Sequence, residues 1–156
     1  MKIDNRRARF DFEISEKYEA GMALTGGEVK SLKMGRAQLE GAYVVIRASG
    51  ARGLPEAWLV NANIPTYEHA RVEESDPKRT RKLLLHRREL FSLEQKMKEG
   101  RLTIVPLVIY TTGRLVKLSI GLGRGRKAWQ KRELLKKRDL KREAEAELGG
   151  RARRVN

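Results

Sequence analysis

Cysteine is missing from this 156-residue chain, which excludes a disulfide framework, a thiolate nucleophile and a Cys-ligated zinc site. Histidine occurs twice, at His69 and His86, and nothing spaces the pair as metal ligands. The serines lack a His or Asp context for nucleophilic catalysis. Gly121, Gly123 and Gly125 complete neither G-x-x-x-x-G-K-[ST] nor G-x-G-x-x-G, so a phosphate loop is not indicated and a flexible hinge is the reading. Glu28-Val29-Lys30 and Glu94-Gln95-Lys96 echo half of a nuclease site, but neither has a partner Asp at suitable spacing, and both read as surface charges. The expectation is a protein that is not an enzyme and needs no metal or cofactor. No apolar run approaches the roughly 18 residues of a membrane helix, and the N-terminus has no apolar signal core. A cytoplasmic protein with no membrane partner follows.

Basic charge is what the chain has in excess: 35 Lys and Arg against 20 Asp and Glu, a formal +15. Such a field attracts polyanions. It is unevenly placed, because residues 121–156 hold 13 of the cations and 5 of the acids, a net of +8. Basic nucleic-acid arms have this composition, as do solvated termini.

The pattern along the chain is mixed. Asn5-Arg6-Arg7-Ala8-Arg9 reads as a basic arm entering a half-buried strand at Phe10–Ile14, where apolar and charged residues alternate. Thr25, with Glu28 three residues on, fits a capping box for a helix that stops at Gly35. Tyr43–Ile46 and Ala57–Val60 read as strands joined by the Gly50–Pro55 turn. Leu83, His86, Leu90, Leu93 and Met97 are spaced as one helical stripe, which predicts a helix over 80–99 ended by Gly100. Leu102–Tyr110 and Leu115–Ile120 flank Thr112-Gly113 as a hairpin, with Pro106 marking an edge or a bulge. Residues 128–148 are helix formers with a thin apolar stripe, so that segment is expected to order as a helix on a partner.

The fold class expected is mainly β with flanking helices: an oligonucleotide-binding-like antiparallel β-barrel over 1–122 with two or three helices, and a basic tail over 123–156. Aromatic rings lie among the cations, Phe10 and Phe12 beside Arg6, Arg7 and Arg9, Tyr110 near Arg114 and Lys117, and Trp129 between Lys127 and Lys131. Irregular or single-stranded RNA is gripped by this combination of phosphate attraction and stacking. Phe12 and Tyr110 have an equal claim as core aromatics. Trp129, in a charged tail outside any plausible core, has no such alternative. His86 interrupts a leucine stripe and reads either as a core histidine or as a surface contact.

In order along the chain, Asn5-Arg-Arg-Ala-Arg9, Tyr18-Glu-Ala-Gly21, Gly27-Glu-Val-Lys-Ser-Leu-Lys33, Asp76-Pro77, Arg79-Thr-Arg-Lys-Leu-Leu-Leu-His86, Val105-Pro-Leu107, Arg124-Gly-Arg-Lys127 and Lys131-Arg-Glu133 resemble the small protein B family, the SsrA-binding proteins. The resemblance covers about residues 5 to 142. It implies a monomeric protein that binds the tRNA-like domain of transfer-messenger RNA, not DNA, and delivers it with elongation factor Tu to stalled ribosomes for trans-translation. The barrel would replace the missing part of a tRNA, and the tail would occupy the empty mRNA channel near the small-subunit decoding centre. The RNA face implied is Asn5, Arg7, Phe12, Glu19, Leu84, His86 and Lys117. The ribosome-contacting tail implied is Arg124, Gly125, Lys127, Trp129, Lys131 and Arg132. Gln130 stands where the family usually has Asp, so a salt bridge or helix cap from that Asp is expected to be lost. A stretch over Gly50–Pro55 reads as an extra hairpin extension. The alternative from another class is a generic ribosome-associated factor that binds ribosomal RNA.

Overall fold

The computed structural model of the chain describes residues 1–48, 51–67 and 76–155. His69 therefore lies outside the described residues, as do Gly50 and most of the polar loop before Asp76.

Strand β1, Lys2–Asp4, leads into helix α1, Arg6–Asp11. The basic arm expected here is helical because Asn5 caps it: the Asn5 side-chain oxygen accepts from the Ala8 amide at 3.2 Å, satisfying an orphan donor of the first turn. Phe10 belongs to this helix, and strand β2, Phe12–Met22, begins after it. Helix α2, Gly26–Lys33, starts at the capping box read from the sequence, with both Thr25–Glu28 bonds present. Gly35 follows its end at φ +73°, the left-handed conformation a C′ glycine supplies. Strands β3, Tyr43–Arg47, and β4, Glu56–Val60, pair antiparallel as a hairpin.

The expected helix over 80–99 is two elements. Strand β5, Arg81–Leu84, precedes helix α3, Arg87–Glu99. Leu83 and Leu93 both point into the core, but from different elements, so the 3-4 spacing between them is fortuitous. The local pattern of 81–84 alternates buried and outward residues. Pairing with β4 and with the end of β2 satisfies backbone groups that a helix there would leave exposed at two strand edges. His86 is the N-cap of α3 and is exposed, so it is not a core histidine.

Strands β6, Thr103–Thr112, and β7, Leu115–Gly125, form the long hairpin. They are joined by Gly113-Arg114, with Gly113 at φ +61° as a primed two-residue turn requires. The register shifts between Pro106 and Val108, which is the bulge that a proline in a ladder implies. Strand β7 runs on through Gly121–Gly125, the segment expected to be a hinge. Its glycines are there for close approach: a Cβ on Gly123 would sit 2.3 Å from the Glu13 carbonyl oxygen, and one on Gly121 2.9 Å from Leu107.

The sheet closes on itself, β6–β3–β4–β5–β2–β7 and back to β6, with β1 added on β6. This closed ring of antiparallel strands, with α1, α2 and α3 beside it, encloses a core that includes Leu59, Leu83, Leu93, Ile104, Ile109, Leu118 and Ile120. A smaller cluster of Ala8, Val105, Leu107 and Val108 sits under α1. Glu28, expected as a surface charge, is buried here. Arg79 and Arg81 both donate to its carboxylate.

The chain divides into two compact units, Met1–Gly125 and the segment from Arg126 onward. The second is one helix, α4, Ala128–Val155. No helix among the described residues is long and apolar enough to cross a membrane.

Candidate nucleic-acid interface

The seven residues expected on one RNA face fall into two groups at opposite ends of the β2–β7 ladder. Phe12 pairs with Gly125 at one end and Gly21 with Lys117 at the other, nine residues apart along β2 and thus roughly 30 Å.

Glu19, Leu84, His86 and Lys117 converge on a surface cavity of about 280 Å³, which Ala20, Gly21 and Leu85 also line. Gly21 is what brings them together. Its backbone pairs with Leu84 of β5 on one side and Lys117 of β7 on the other. A Cβ at Gly21 would meet the Leu84 Cβ at 3.3 Å, so the missing side chain keeps the opening between the two strands clear. Leu84 is 55% exposed, an apolar surface presented beside a cation and an imidazole. His86 is held by its place at the start of α3, where its backbone amide donates to Glu89 at 3.4 Å.

Tyr110 completes this end. It lies opposite Lys117 in the β6–β7 register and shares a hydrogen bond with Glu19. That bond first, and burial second, raise the phenol above its ordinary value. Glu19 is thereby anchored as an acceptor beside Lys117. Tyr110 faces Lys117 because the turn falls at Gly113-Arg114, one residue beyond the Thr112-Gly113 read from the sequence.

Asn5, Arg7 and Phe12 line a separate cavity of about 260 Å³ together with Asp11 and Tyr43. Asn5 is buried, at 4% exposure, and its amide donates to the Pro106 carbonyl at 2.8 Å and the Leu39 carbonyl at 3.3 Å. It is framework here: it ties α1 to the Pro106 bulge. Arg7 is exposed and pairs with Asp11 at 3.1 Å and Glu40 at 3.5 Å. Phe12 is half-buried against the Ala8–Val108 cluster. Tyr43, 41% exposed, adds an aromatic face that the strand pattern alone did not single out.

Arg124 and Gly125 are the last residues of β7, opposite Glu13 and Phe12, and both are exposed. In the second unit Lys127 is exposed just before α4. The Lys127 amide donates to the Gln130 side-chain oxygen at 2.8 Å, the reach-back half of a capping box, which Gln performs as Glu does. The cap expected to be lost with the family's usual Asp is therefore made by Gln130. Trp129, in the first turn, is 51% exposed. Arg132 is exposed three residues on, on the same face, while Lys131 is half-buried. Among the described residues no group of His, Asp and Glu is arranged to hold a metal ion.

Known proteins resemble this chain over nearly its whole length. The family model described as SmpB protein matches residues 2–149. An SsrA-binding protein of Mycobacterium sp. (strain KMS) is 47% identical over 149 residues, 96% of this chain and 85% of that protein. One of Corynebacterium efficiens is 45% identical over 152 residues, 97% of this chain and 89% of that protein. A chain of the solved structure "tmRNA-SmpB: a journey to the center of the bacterial ribosome" superposes with a TM-score of 0.64 at 45% identity, over 81% of this chain and 85% of that one. With its family model spanning all but the last residues and close relatives covering nearly its whole length, this chain belongs to the SmpB protein family.

Proposed function

We propose that this chain binds the tRNA-like domain of transfer-messenger RNA and delivers it to stalled ribosomes for trans-translation. The observation that carries the reading is the convergence of Glu19, Leu84, His86 and Lys117, distant in sequence, on one surface cavity. Lys117 supplies a phosphate contact, which adds affinity without sequence preference. Leu84 offers an apolar face to a base or ribose, and His86 and Glu19 offer a donor and an acceptor for base edges. The names carried by the relatives, SsrA-binding protein and tmRNA-SmpB on the ribosome, support the same partners.

Arg7 and Phe12, with Tyr43 beside them, form a second contact region at the Gly125 end of the ladder, and Asn5 positions it. The ring stands in for the part of a tRNA that the RNA lacks. Arg124 to Arg132 then address the ribosome, with Trp129 as a stacking residue near the decoding centre and α4 in the empty mRNA channel. The protein works as a monomer in the cytoplasm, joined by elongation factor Tu in the delivery complex, and makes or breaks no bond itself.

A gel-shift series tests this, using transfer-messenger RNA and a ribosomal RNA fragment of equal length at several salt concentrations. Selective binding of the first is expected, and Lys117→Ala should weaken it while lowering the log–log salt slope by about 1. Equal affinity for both RNAs would overturn the reading.

A further inference from the structure

Leu84 borders two cavities besides the one it shares with Glu19 and His86, and one of them has the chemistry to extend that interface. It measures about 260 Å³ and lies where the end of β2, the start of α2 and the β6–β7 turn meet. Half-buried Met22, Leu24 and Val29 line it, together with Leu84 and Leu115. Leu115 is 63% exposed, more than Leu84. An exposed leucine in the first position of a strand loses apolar burial unless something covers it. Arg114, exposed in the turn itself, also lines this cavity.

Two features select the occupant. The cavity is continuous with the Glu19–His86 site, because Gly21, Leu84 and Lys117 line both. Its charged lining residues, Arg114 and Lys117, are both cations. An apolar socket with two cations suits a ligand that is flat and apolar on its faces and joined to an anionic backbone. Cations reward phosphate, and the leucines reward a base withdrawn from its stack.

We propose that the Leu84–Leu115 socket takes one unstacked nucleobase of the RNA bound at the Glu19–His86 site, with Arg114 holding the adjoining phosphate. The inference rests on the function proposed above. It makes the β6–β7 turn an RNA-reading element and Leu115 and Arg114 binding residues. Leu84 then serves two sockets, since it lines both cavities.

The test compares Leu115→Ser, Arg114→Ala and the unaltered protein for binding to the tRNA-like domain across a salt series, with thermal melting and sedimentation alongside. Leu115→Ser is expected to weaken binding about tenfold with an unchanged salt slope, from lost apolar burial. Arg114→Ala is expected to weaken it with a slope lower by about 1. Melting should not move, since both side chains are exposed. Chemical probing of the RNA should show one nucleotide, shielded by the unaltered protein, regaining reactivity with Leu115→Ser. If the unaltered protein binds and both variants bind equally well, the socket is not used and the inference is overturned. If Leu115→Ser instead changes the oligomeric state at unchanged RNA affinity, the patch covers a second copy and the inference is again overturned. If the unaltered protein does not bind this RNA at all, it is the proposed function that has failed.

Discussion

Arg81 and Glu28, 53 residues apart in sequence, form an ion pair in which both side chains are buried, at 0% and 1% exposure. Arg81 directs all five of its N–H groups at acceptors. Nε donates to Glu28, one terminal nitrogen to the Ala62 and Arg79 carbonyls at 3.0 Å, and the other to the Pro77 carbonyl at 2.9 Å and, more weakly, to Ile64 at 3.5 Å. The pair thus fastens α2 to β5 and to the chain between β4 and β5. Since β5 carries Leu84 and leads into His86, the pair sets the position of half of the cavity that Glu19, Leu84, His86 and Lys117 line.

Glu28→Ala should destabilise the protein by about 3–5 kcal/mol, because it leaves a buried guanidinium without its counter-charge. Urea denaturation measures the loss. Glu28→Leu combined with Arg81→Met should cost clearly less than the single change, since no fully buried charge is left uncompensated; Arg79, the other partner, is a third exposed and keeps water.

Stability should also depend on acid through Glu28. Burial alone would raise its carboxyl. Hydrogen bonds from Arg79, the Thr25 amide and Arg81 outweigh burial and hold it below the ordinary carboxylate range. A depressed folded-state pKa contributes stability that is complete above the unfolded value and is lost as pH falls through the folded value. Unfolding free energy should therefore hold near neutrality and decline in acid. The decline should be shallower in the double variant that replaces both Glu28 and Arg81 with apolar residues, as followed by urea titrations across that range.

Gly123→Ala should loosen the β2–β7 ladder. A Cβ there meets the Glu13 backbone at 2.3 Å, and backbone on both sides cannot yield as a flexible side chain would. A loss of about 1–3 kcal/mol is expected, with faster hydrogen exchange at β2 amides near Glu13. Gly149→Ala, with open space around it, serves as the control.

Gln130→Ala should remove the bond to the Lys127 amide and weaken the start of α4 by about 1 kcal/mol, whereas Gln130→Glu should retain it. Hydrogen exchange of the Lys127 amide reads this directly: several-fold faster in the alanine variant and little changed in the glutamate one.

Removal of residues 126–156, leaving β7 whole through Gly125, should preserve affinity for transfer-messenger RNA while abolishing tagging of nascent chains on stalled ribosomes. Trp129→Ala should lower tagging sharply with no change in melting temperature, because the side chain is half exposed. A truncated protein that loses RNA affinity by orders of magnitude would place RNA selection in the tail instead.

Local chemistry was legible wherever neighbours in sequence are also partners in space. The Thr25–Glu28 capping box and the Gly35 helix end each involve residues a few positions apart, so spacing alone determines them; the hairpin turn was placed to within one residue, and pairing with β7 decided that Pro106 sits at a bulge rather than an edge. The block resemblance carried the family, and alternation marked the strand that begins at Phe12. Three features depended on tertiary structure. Residues 81–84 became a strand because two strand edges needed a partner, and pairing outweighed a helical apolar period. Glu28 became a buried counter-ion because Arg79 and Arg81 fold onto it from far along the chain. Gly121–Gly125 became a tightly packed strand end because the backbone of β2 approaches too closely for side chains. In each case the deciding contact joins distant positions, and ring closure, which no local pattern encodes, is the physical reason it forms.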